Sequence, residues 1–138
     1  MKKVVIVGGV AGGMSAATRL RRLREDIEIV VFEKGPHVSF ANCGLPYYVS
    51  GEIEDHDRLL LQTPESLYER FKIDVRVNQE VISINPAEKV VYIKNMQGEH
   101  TETYDKLILS PGAKPFVPDI SGLSEAKNVF TLRNVPDL

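Results

Sequence analysis

The fold of this 138-residue chain is decided close to its start, by the stretch Val4-Val5-Ile6-Val7-Gly8-Gly9-Val10-Ala11-Gly12-Gly13. The apolar run Lys3–Val7 predicts a buried strand, which ends at Gly8. Over Gly12–Arg24 the pattern becomes helical, with one apolar stripe made of Ala16, Leu20, Leu23 and Ile27. A second buried strand follows at Ile27–Phe32. Strand, helix and strand in succession form a βαβ unit, so the two strands should be parallel and the fold class α/β.

The rest of the chain adds one more helix and a set of short strands. A long loop is predicted at Lys34–Leu59, and loops of that length usually carry function. Thr63 is a predicted N-cap for a helix that ends near Lys72. After the helix, β-rich segments predict a hairpin-connected antiparallel meander, at Ile73–Val77, Val81–Ile84, Val90–Asn95 and His100–Tyr104. Lys106–Ser110 predicts a last short strand.

Composition excludes several classes of protein. Lys and Arg number 17 and Asp and Glu 19, so a net charge of −2 argues against nucleic acid as an obligate partner. No apolar run approaches the roughly 18 residues of a membrane span, and no signal-peptide pattern follows Met1, so we expect a cytoplasmic protein without a membrane partner. The single cysteine, Cys43, excludes a disulfide framework and any metal site that needs several thiolates.

The glycine-rich turn between the first strand and helix is typical of a dinucleotide site. Free backbone N–H groups and the positive end of the helix dipole attract a pyrophosphate there, and glycine lets it approach closely. Gly8 and Gly13 match the pattern G-x-G-x-x-G, whereas Val10 replaces the middle glycine and Gly12 is an additional one. Glu33, at the end of the second strand, can accept hydrogen bonds from both ribose hydroxyls and repels a 2′-phosphate. The turn therefore favours FAD or NAD over NADP.

Two further features are candidates for chemistry. Cys43 lies in the polar loop Ser39–Tyr47, where Ser39 and Asn42 are potential hydrogen-bond donors to a thiolate, although most lone cysteines are inert core residues. Because the chain has no second cysteine, an oxidised Cys43 would be a sulfenic acid, a persulfide or a mixed disulfide with an external thiol. Ser15, Arg19 and Arg22 share a stripe of the first helix that could bind phosphates or could simply be solvated.

These residues resemble, over the whole chain, the N-terminal part of coenzyme A-disulfide reductases, a single-cysteine branch of the FAD-dependent pyridine nucleotide–disulfide oxidoreductases. The resemblance rests on three segments, which are Val7–Gly13, Ser39–Tyr47 and Tyr104–Ala113. It implies a Rossmann-like FAD-binding βαβ unit in a parallel sheet, with a small antiparallel meander. The middle segment, S-F-x-x-C, is the most specific of the three because it separates this branch from dithiol relatives.

The resemblance also implies roles for individual residues. Those that would hold FAD are Gly8, Gly9, Val10, Ala11, Gly12, Gly13, Glu33, Lys34, Val81, Gly112 and Ala113. Those that would contact coenzyme A are Ser15, Arg19, Arg22, Ser39 and Asn42. Cys43 would be the catalytic nucleophile. A further coenzyme A contact of the family, often a lysine, falls near Phe71, with Lys72 adjacent.

The implied reaction uses NAD(P)H to reduce the flavin, whose electrons pass to the Cys43 sulfur and then to coenzyme A disulfide, persulfide or polysulfide. Two alternatives stay open, a NADH oxidase or peroxidase that uses a cysteine sulfenic acid, and a nucleotide-binding module without turnover. We expect residues 1–115 to form part of an FAD-binding domain and residues 116–138 a connection toward a missing NAD(P)-binding domain. The chain would then be a truncated part of a homodimeric enzyme, inactive alone.

Overall fold

The computed structural model describes residues 2–138, which form two compact units. Among the described residues, unit 1 comprises residues 2–40 and Leu60–Pro111, and unit 2 comprises Ala41–Leu59 and Gly112–Leu138. In chain order the strands and helices are β1 (Lys3–Val7), α1 (Ala11–Leu23), β2 (Glu28–Phe32), α2 (Leu45–Val49), α3 (Pro64–Phe71), β3 (Ile73–Arg76), β4 (Glu80–Asn85), β5 (Val90–Asn95), β6 (Gly98–Thr103) and β7 (Lys106–Leu109). The expected α/β class, with a parallel sheet and an antiparallel meander, is confirmed.

The main sheet of unit 1 is parallel, with strand order β3-β2-β1-β7. The predicted βαβ unit is confirmed, because β1 and β2 pair in parallel and α1 connects them. The prediction that the segment at Ile73–Val77 belongs to the meander is wrong, because β3 pairs in parallel with β2, beginning with Ile73 opposite Ile29. The connection through α3 is long enough to return the chain in the same direction, which a hairpin cannot do.

Helix α1 packs on the sheet through part of the predicted stripe and through residues that the stripe did not include. Its buried residues are Gly13, Met14 and Ala17, with Ala16 and Leu20 partly buried against the same core. The prediction that Leu23 packs with this stripe is wrong, because Leu23 is 59% exposed. Leu23 is the last residue of the helix and Arg24 is already extended, so Leu23 lies at the exposed end of α1. Ile27, the last residue of the stripe, follows the helix and is buried in the same core.

Helix α3 begins as its sequence predicts. The Thr63 side chain accepts a hydrogen bond from the Ser66 N–H, and the Ser66 hydroxyl oxygen accepts one from the Thr63 N–H. This reciprocal pair satisfies two backbone donors at the helix start, and Pro64 occupies the first turn. The helix ends at Lys72, whose φ of +50° is left-handed.

The meander of unit 1 consists of β4, β5 and β6, which are antiparallel with β5 in the centre. Its inner side chains Val91 and Ile93 pack against Val5, Val30 and Phe32 of the parallel sheet. Glu102 on β6 bridges the two sheets, because its carboxylate binds Lys3 Nζ and an Arg76 guanidinium nitrogen, each at 2.7 Å. Burial opposes ionisation of Glu102, but the hydrogen bonds from Lys3 and Arg76 outweigh it and hold the pKa of the carboxyl below its ordinary value.

Glu102→Gln is expected to lower the free energy of unfolding at pH 7 by about 1–3 kcal/mol, because two charged hydrogen bonds are lost. A carboxylate with a lowered pKa stabilises the fold above its unfolded pKa of about 4.3, and that stabilisation disappears as the pH falls through the folded pKa. Denaturant unfolding at pH 7 and near pH 3 measures this. The free energies of unfolding of the variant and the wild type should differ strongly at pH 7 and only slightly at low pH. Glu99→Gln, on the same strand, is the control and should change little at either pH.

Unit 2 carries little regular structure. Leu45 and Leu59 are buried in the segment Ala41–Leu59, and Val135 in the C-terminal segment. The predicted long loop is partly helical, because it contains 3-10 turns at Asn42–Gly44 and His56–Leu59 as well as α2. Throughout residues 2–138, no helix is long and apolar enough to cross a membrane. The predicted domain boundary near residue 115 stays a prediction.

Candidate functional site

Two positions of the glycine turn of unit 1 leave no space for a β-carbon. Gly8 has φ +102°, and a β-carbon there would overlap the carbonyl oxygen of Ser110. A β-carbon on Gly13 would overlap the carbonyl oxygen of Gly8. At Gly12 the nearest atom would be Ser110 Oγ at 3.2 Å, which is tight but tolerable. The requirement for glycine at the two matching positions of the motif therefore comes from the packing of the turn itself.

Gly13→Ala is expected to lower the free energy of unfolding by about 1–3 kcal/mol or more, because the methyl group would meet backbone that cannot move cheaply. Gly12→Ala is the matched control in the same helical turn and should be nearly neutral, since Ser110 can rotate and alanine favours a helix. Thermal unfolding of the two purified variants compares them directly. Equal stability of both variants would contradict the close packing between Gly13 and Gly8.

Helix α1 begins without a cap. Val10 is its N-cap residue, makes no side-chain capping bond, and no acidic residue lies in the first turn. The N–H groups of the first turn therefore lack intrahelical partners and present the positive end of the helix dipole. A helix start of this kind, directly after a strand and a glycine turn, suits an anionic group such as a pyrophosphate.

Glu33 is held beside the glycine turn by two backbone hydrogen bonds. Its Oε2 accepts the Gly9 N–H at 2.8 Å, and its Oε1 accepts the Gly35 N–H at 2.8 Å. The Ser39 N–H in turn donates to the Gly9 carbonyl at 2.8 Å. Each carboxylate oxygen can accept a second hydrogen bond, so Glu33 is both fixed in position and able to accept further donors such as hydroxyls.

The predicted residues Lys34 and Val81 lie in the same part of unit 1. The segment after β3 is hydrogen-bonded to the end of β2, because the Gln79 N–H donates to the Glu33 carbonyl at 3.0 Å and the Asn78 N–H to the Gly35 carbonyl at 3.0 Å. Val81 follows two residues later and is partly buried, and the Lys34 side chain is exposed. Backbone pairing therefore brings the start of β4 next to Glu33.

The arginines of α1 separate into two groups. Arg21 and Arg24 are engaged, Arg21 with backbone carbonyls and Arg24 with Asp26, whose pKa the hydrogen bond from Arg24 lowers to about 2. Arg19 and Arg22 are exposed and, within residues 2–138, have no hydrogen-bonding or ionic partner; Ser15 is exposed on the same stripe. Of these four arginines, the two predicted to bind a ligand are thus the two whose side-chain donors are all unused. Lys72 lies with Nζ 4.9 Å from the centre of the Tyr68 ring.

In unit 2 the side chain of Cys43 is exposed and forms no disulfide. It lies in the 3-10 turn Asn42–Gly44, and its thiol donates weakly to Asn42 Oδ1 at 3.6 Å. Asn42 thus accepts from the thiol, whereas the sequence predicted it as a donor to the thiolate.

Gly112 and Ala113 are the other predicted residues of unit 2, and Ala113 is hydrogen-bonded to an arginine. Gly112 has φ +70°, a conformation that favours glycine. The carbonyl of Ala113 accepts a hydrogen bond from Arg133 Nε at 2.9 Å, and the Arg133 N–H donates to Asp137 Oδ2 at 2.7 Å. The C-terminal segment of unit 2 therefore fixes the backbone at Ala113.

A family model described as Pyridine nucleotide-disulphide oxidoreductase matches residues 2–138 of the chain. The chain belongs to this family. It is 44% identical over 140 residues to Coenzyme A disulfide reductase of Staphylococcus epidermidis, and 43% identical over 143 residues to the protein of the same name from Staphylococcus aureus. Both alignments cover 99% of this chain but only 31% of the relative, so the chain spans less than a third of the length of these curated relatives.

Solved structures agree with this assignment. The crystal structure of reduced Bacillus anthracis CoADR-RHD is 57% identical, with a TM-score of 0.93, and the match covers 99% of this chain and 25% of that one. An NAD-dependent persulfide reductase from A. fulgidus is 35% identical, with a TM-score of 0.91, over 98% of this chain and 26% of that one. A water-forming NADH oxidase from Lactobacillus brevis is 31% identical, with a TM-score of 0.85, over 97% of this chain and 30% of that one.

Three residues that bind the candidate site residues or their helix were not predicted from the sequence. Gly35 binds Glu33 through its backbone N–H, Arg21 binds four backbone carbonyls, and Arg133 binds the Ala113 carbonyl. The position of Gly35 two residues after an acid was the only signal available for it. Nothing in the sequence could separate Arg21 or Arg133 from solvated arginines, because their partners lie far away along the chain.

Proposed function

We propose that the protein carrying these residues is an FAD-dependent, NAD(P)H-driven reductase of coenzyme A disulfide, or of a coenzyme A persulfide or polysulfide, that acts through Cys43. The observation that carries the proposal is that the only thiol of the chain is exposed and unpaired. Support comes from the 57% identity to the Bacillus anthracis CoADR-RHD and the 44% identity to the staphylococcal coenzyme A disulfide reductase.

The residues of unit 1 fit the adenosine and pyrophosphate part of FAD. The closed positions Gly8 and Gly13 leave backbone rather than side chains at the turn, and the uncapped start of α1 offers N–H donors to the pyrophosphate. Glu33 keeps lone pairs for the ribose hydroxyls. The residues proposed to hold FAD are Gly8, Gly9, Val10, Ala11, Gly12, Gly13, Glu33, Lys34, Val81, Gly112 and Ala113. When bound, FAD supplies hydride acceptance and two-electron reduction of sulfur.

Cys43 performs the sulfur chemistry. Its thiolate attacks one sulfur of coenzyme A disulfide, which forms a mixed disulfide with the protein and releases one coenzyme A thiolate. Two electrons from NAD(P)H then split the mixed disulfide, which restores the Cys43 thiolate and releases the second coenzyme A. The Asn42 amide, already in contact with the sulfur, can turn its NH₂ group toward the thiolate as the proton leaves.

Arg19 and Arg22 bind the phosphates of coenzyme A, together with Ser15, and Ser39 and Asn42 contact the same substrate. Guanidinium groups bind phosphate in a bidentate fashion, and these two are exposed with unused donors. Phosphate binding on α1 orients the thiol end of the substrate for reaction. We propose in addition that the protein is a homodimer and that residues 1–115 belong to its FAD-binding domain.

A second function is supported by the 31% identity to a water-forming NADH oxidase. In that case the Cys43 thiolate would be oxidised to a sulfenic acid by dioxygen or peroxide and reduced back by NADH. Nothing in such a reaction uses phosphate-binding arginines, so the unpaired Arg19 and Arg22 favour a coenzyme A substrate.

Steady-state kinetics with the full-length protein separates these functions. An absorbance spectrum first shows whether a flavin is bound. NADH and NADPH oxidation is then followed with coenzyme A disulfide, with a coenzyme A persulfide, with hydrogen peroxide and with dioxygen alone. We expect kcat/KM for a coenzyme A substrate to exceed that for peroxide and for dioxygen. The reverse order would establish an oxidase or peroxidase, and a flavin-free protein would refute the assignment of FAD.

A further inference from the structure

We propose that Arg21 is a positioning residue for coenzyme A recognition, because it ties together the ends of α1 and α3 and so fixes the part of α1 that carries Arg22. The proposal rests on the proposed function, in which Arg19 and Arg22 bind the phosphates of coenzyme A. Arg21 itself is not a ligand in this account. It acts through its neighbours on the helix.

The side chain of Arg21 crosses from α1 to the end of α3. Its Nε donates to the Phe71 carbonyl at 2.7 Å, and a terminal nitrogen donates to the Lys72 carbonyl at 3.0 Å. The other terminal nitrogen donates to the carbonyls of Glu25 at 2.9 Å and Arg24 at 3.3 Å. These four hydrogen bonds use four of the five N–H donors of a guanidinium, so Arg21 has little left for a phosphate.

The four acceptors all lie at the end of a helix or directly after it. Phe71 and Lys72 end α3, and Arg24 and Glu25 follow the end of α1, so one cation lies at the negative ends of both helix dipoles. Carbonyl groups at these positions have no intrahelical partner and need another donor. Arg21 provides it for both helices, whose ends are then fixed relative to each other.

The hydrogen bonds of Arg21 fix the last turn of α1, which also carries Arg22, the residue that follows Arg21. Arg19 lies one turn earlier, on the same stripe as Arg22. Arg24 N–H donates to the Leu20 carbonyl, and this is the last bond that closes α1. Helix ends fray when their carbonyls lose partners, and a frayed turn would let the Arg22 guanidinium leave the position that a bound phosphate requires. Arg24 differs from Arg21 because its side chain binds only the exposed Asp26.

The test compares Arg21→Gln with Arg24→Gln in the full-length protein. The two variants remove the same charge from the same end of α1, but only the first removes the link to α3. We expect Arg21→Gln to raise KM for coenzyme A disulfide by about fivefold or more, with kcat and the KM for the reduced nicotinamide cofactor unchanged. Arg24→Gln should leave all three unchanged. Arg21→Lys keeps the positive charge but loses the guanidinium group that makes the four hydrogen bonds. Its KM for coenzyme A disulfide should therefore also rise.

A double-mutant cycle with Arg22→Ala decides whether Arg21 acts through Arg22. We expect the KM effects of Arg21→Gln and Arg22→Ala to be less than additive in the double variant, since both disturb one phosphate contact. Full additivity, or an unchanged KM in Arg21→Gln, would overturn the proposal. If Arg21→Gln fails to fold, an unchanged KM in Arg21→Lys overturns it instead. The two failures can be told apart. A wild-type protein that does not reduce coenzyme A disulfide would refute the proposed function, whereas an active wild type with the same KM as Arg21→Gln would refute only the role of Arg21.

Discussion

Cys43→Ser in the full-length protein is expected to reduce coenzyme A disulfide reduction to below a few per cent of the wild-type rate, with the flavin still bound. Cys43 is the only thiol of these 138 residues, so nothing else in them can form the mixed disulfide. Serine is close in size to cysteine, and the Cys43 side chain is exposed, so the fold should be unaffected. Turnover with saturating NADH and coenzyme A disulfide measures the effect.

Two controls accompany this variant. The flavin absorbance per protein should match that of the wild type, because none of the unit 1 residues proposed to hold the adenosine and pyrophosphate of FAD is changed. Thermal unfolding should give the same midpoint. Reduction of coenzyme A disulfide at more than a few per cent of the wild-type rate by a stable, flavin-bound Cys43→Ser protein would show that the sulfur chemistry takes place elsewhere.

Arg19→Ala combined with Arg22→Ala is expected to raise KM for coenzyme A disulfide about 10-fold or more, since each charged hydrogen bond contributes about 1.5–3 kcal/mol. Both side chains are exposed and, in the described residues, unpaired, so their loss should leave the stability of the fold unchanged. Reduction of a small disulfide without phosphates should be unaffected. KM values for the two substrates measure the contrast.

The matched control for this variant removes two positive charges elsewhere. Lys94 on β5 and Lys127 in unit 2 are exposed, and Lys94→Ala combined with Lys127→Ala gives the same net charge. This control should leave the KM for coenzyme A disulfide within a factor of about two, because only general electrostatic attraction is changed. An equal rise of KM in both double variants, or a loss of activity toward the small disulfide as well, would show that Arg19 and Arg22 do not recognise phosphates.

The parts of the fold that local sequence determines could be predicted. The run of β-branched residues in β1, the glycine turn and the N-cap at Thr63 each depend on a few neighbouring residues, and each is found as expected. The partner of β3 could not be predicted, since Ile73–Arg76 alternates in burial as a strand of either sheet would. Its place beside β2 depends on the path of the chain through α3, which no short segment encodes.

The candidate site was predictable in part for the same reason. Glu33 was identified because an acid at the end of the second strand is part of the motif, but its two backbone hydrogen bonds depend on how the turn at Gly9 and the residues at Gly35 come together. Helical spacing placed Arg19 and Arg22 on one stripe. It could not show that Arg21 is engaged, because its partner Phe71 lies 50 residues further along the chain.

The most direct test of the account is the covalent state of Cys43 during turnover. The full-length protein is mixed with coenzyme A disulfide in the absence of NAD(P)H, quenched in acid and digested, and the peptide that contains Cys43 is weighed by mass spectrometry. The account predicts that Cys43 carries one coenzyme A in disulfide linkage, and that adding NADH or NADPH before the quench removes it. A Cys43 peptide that never carries coenzyme A, and is oxidised by peroxide to a sulfenic acid that NADH reduces, would contradict it.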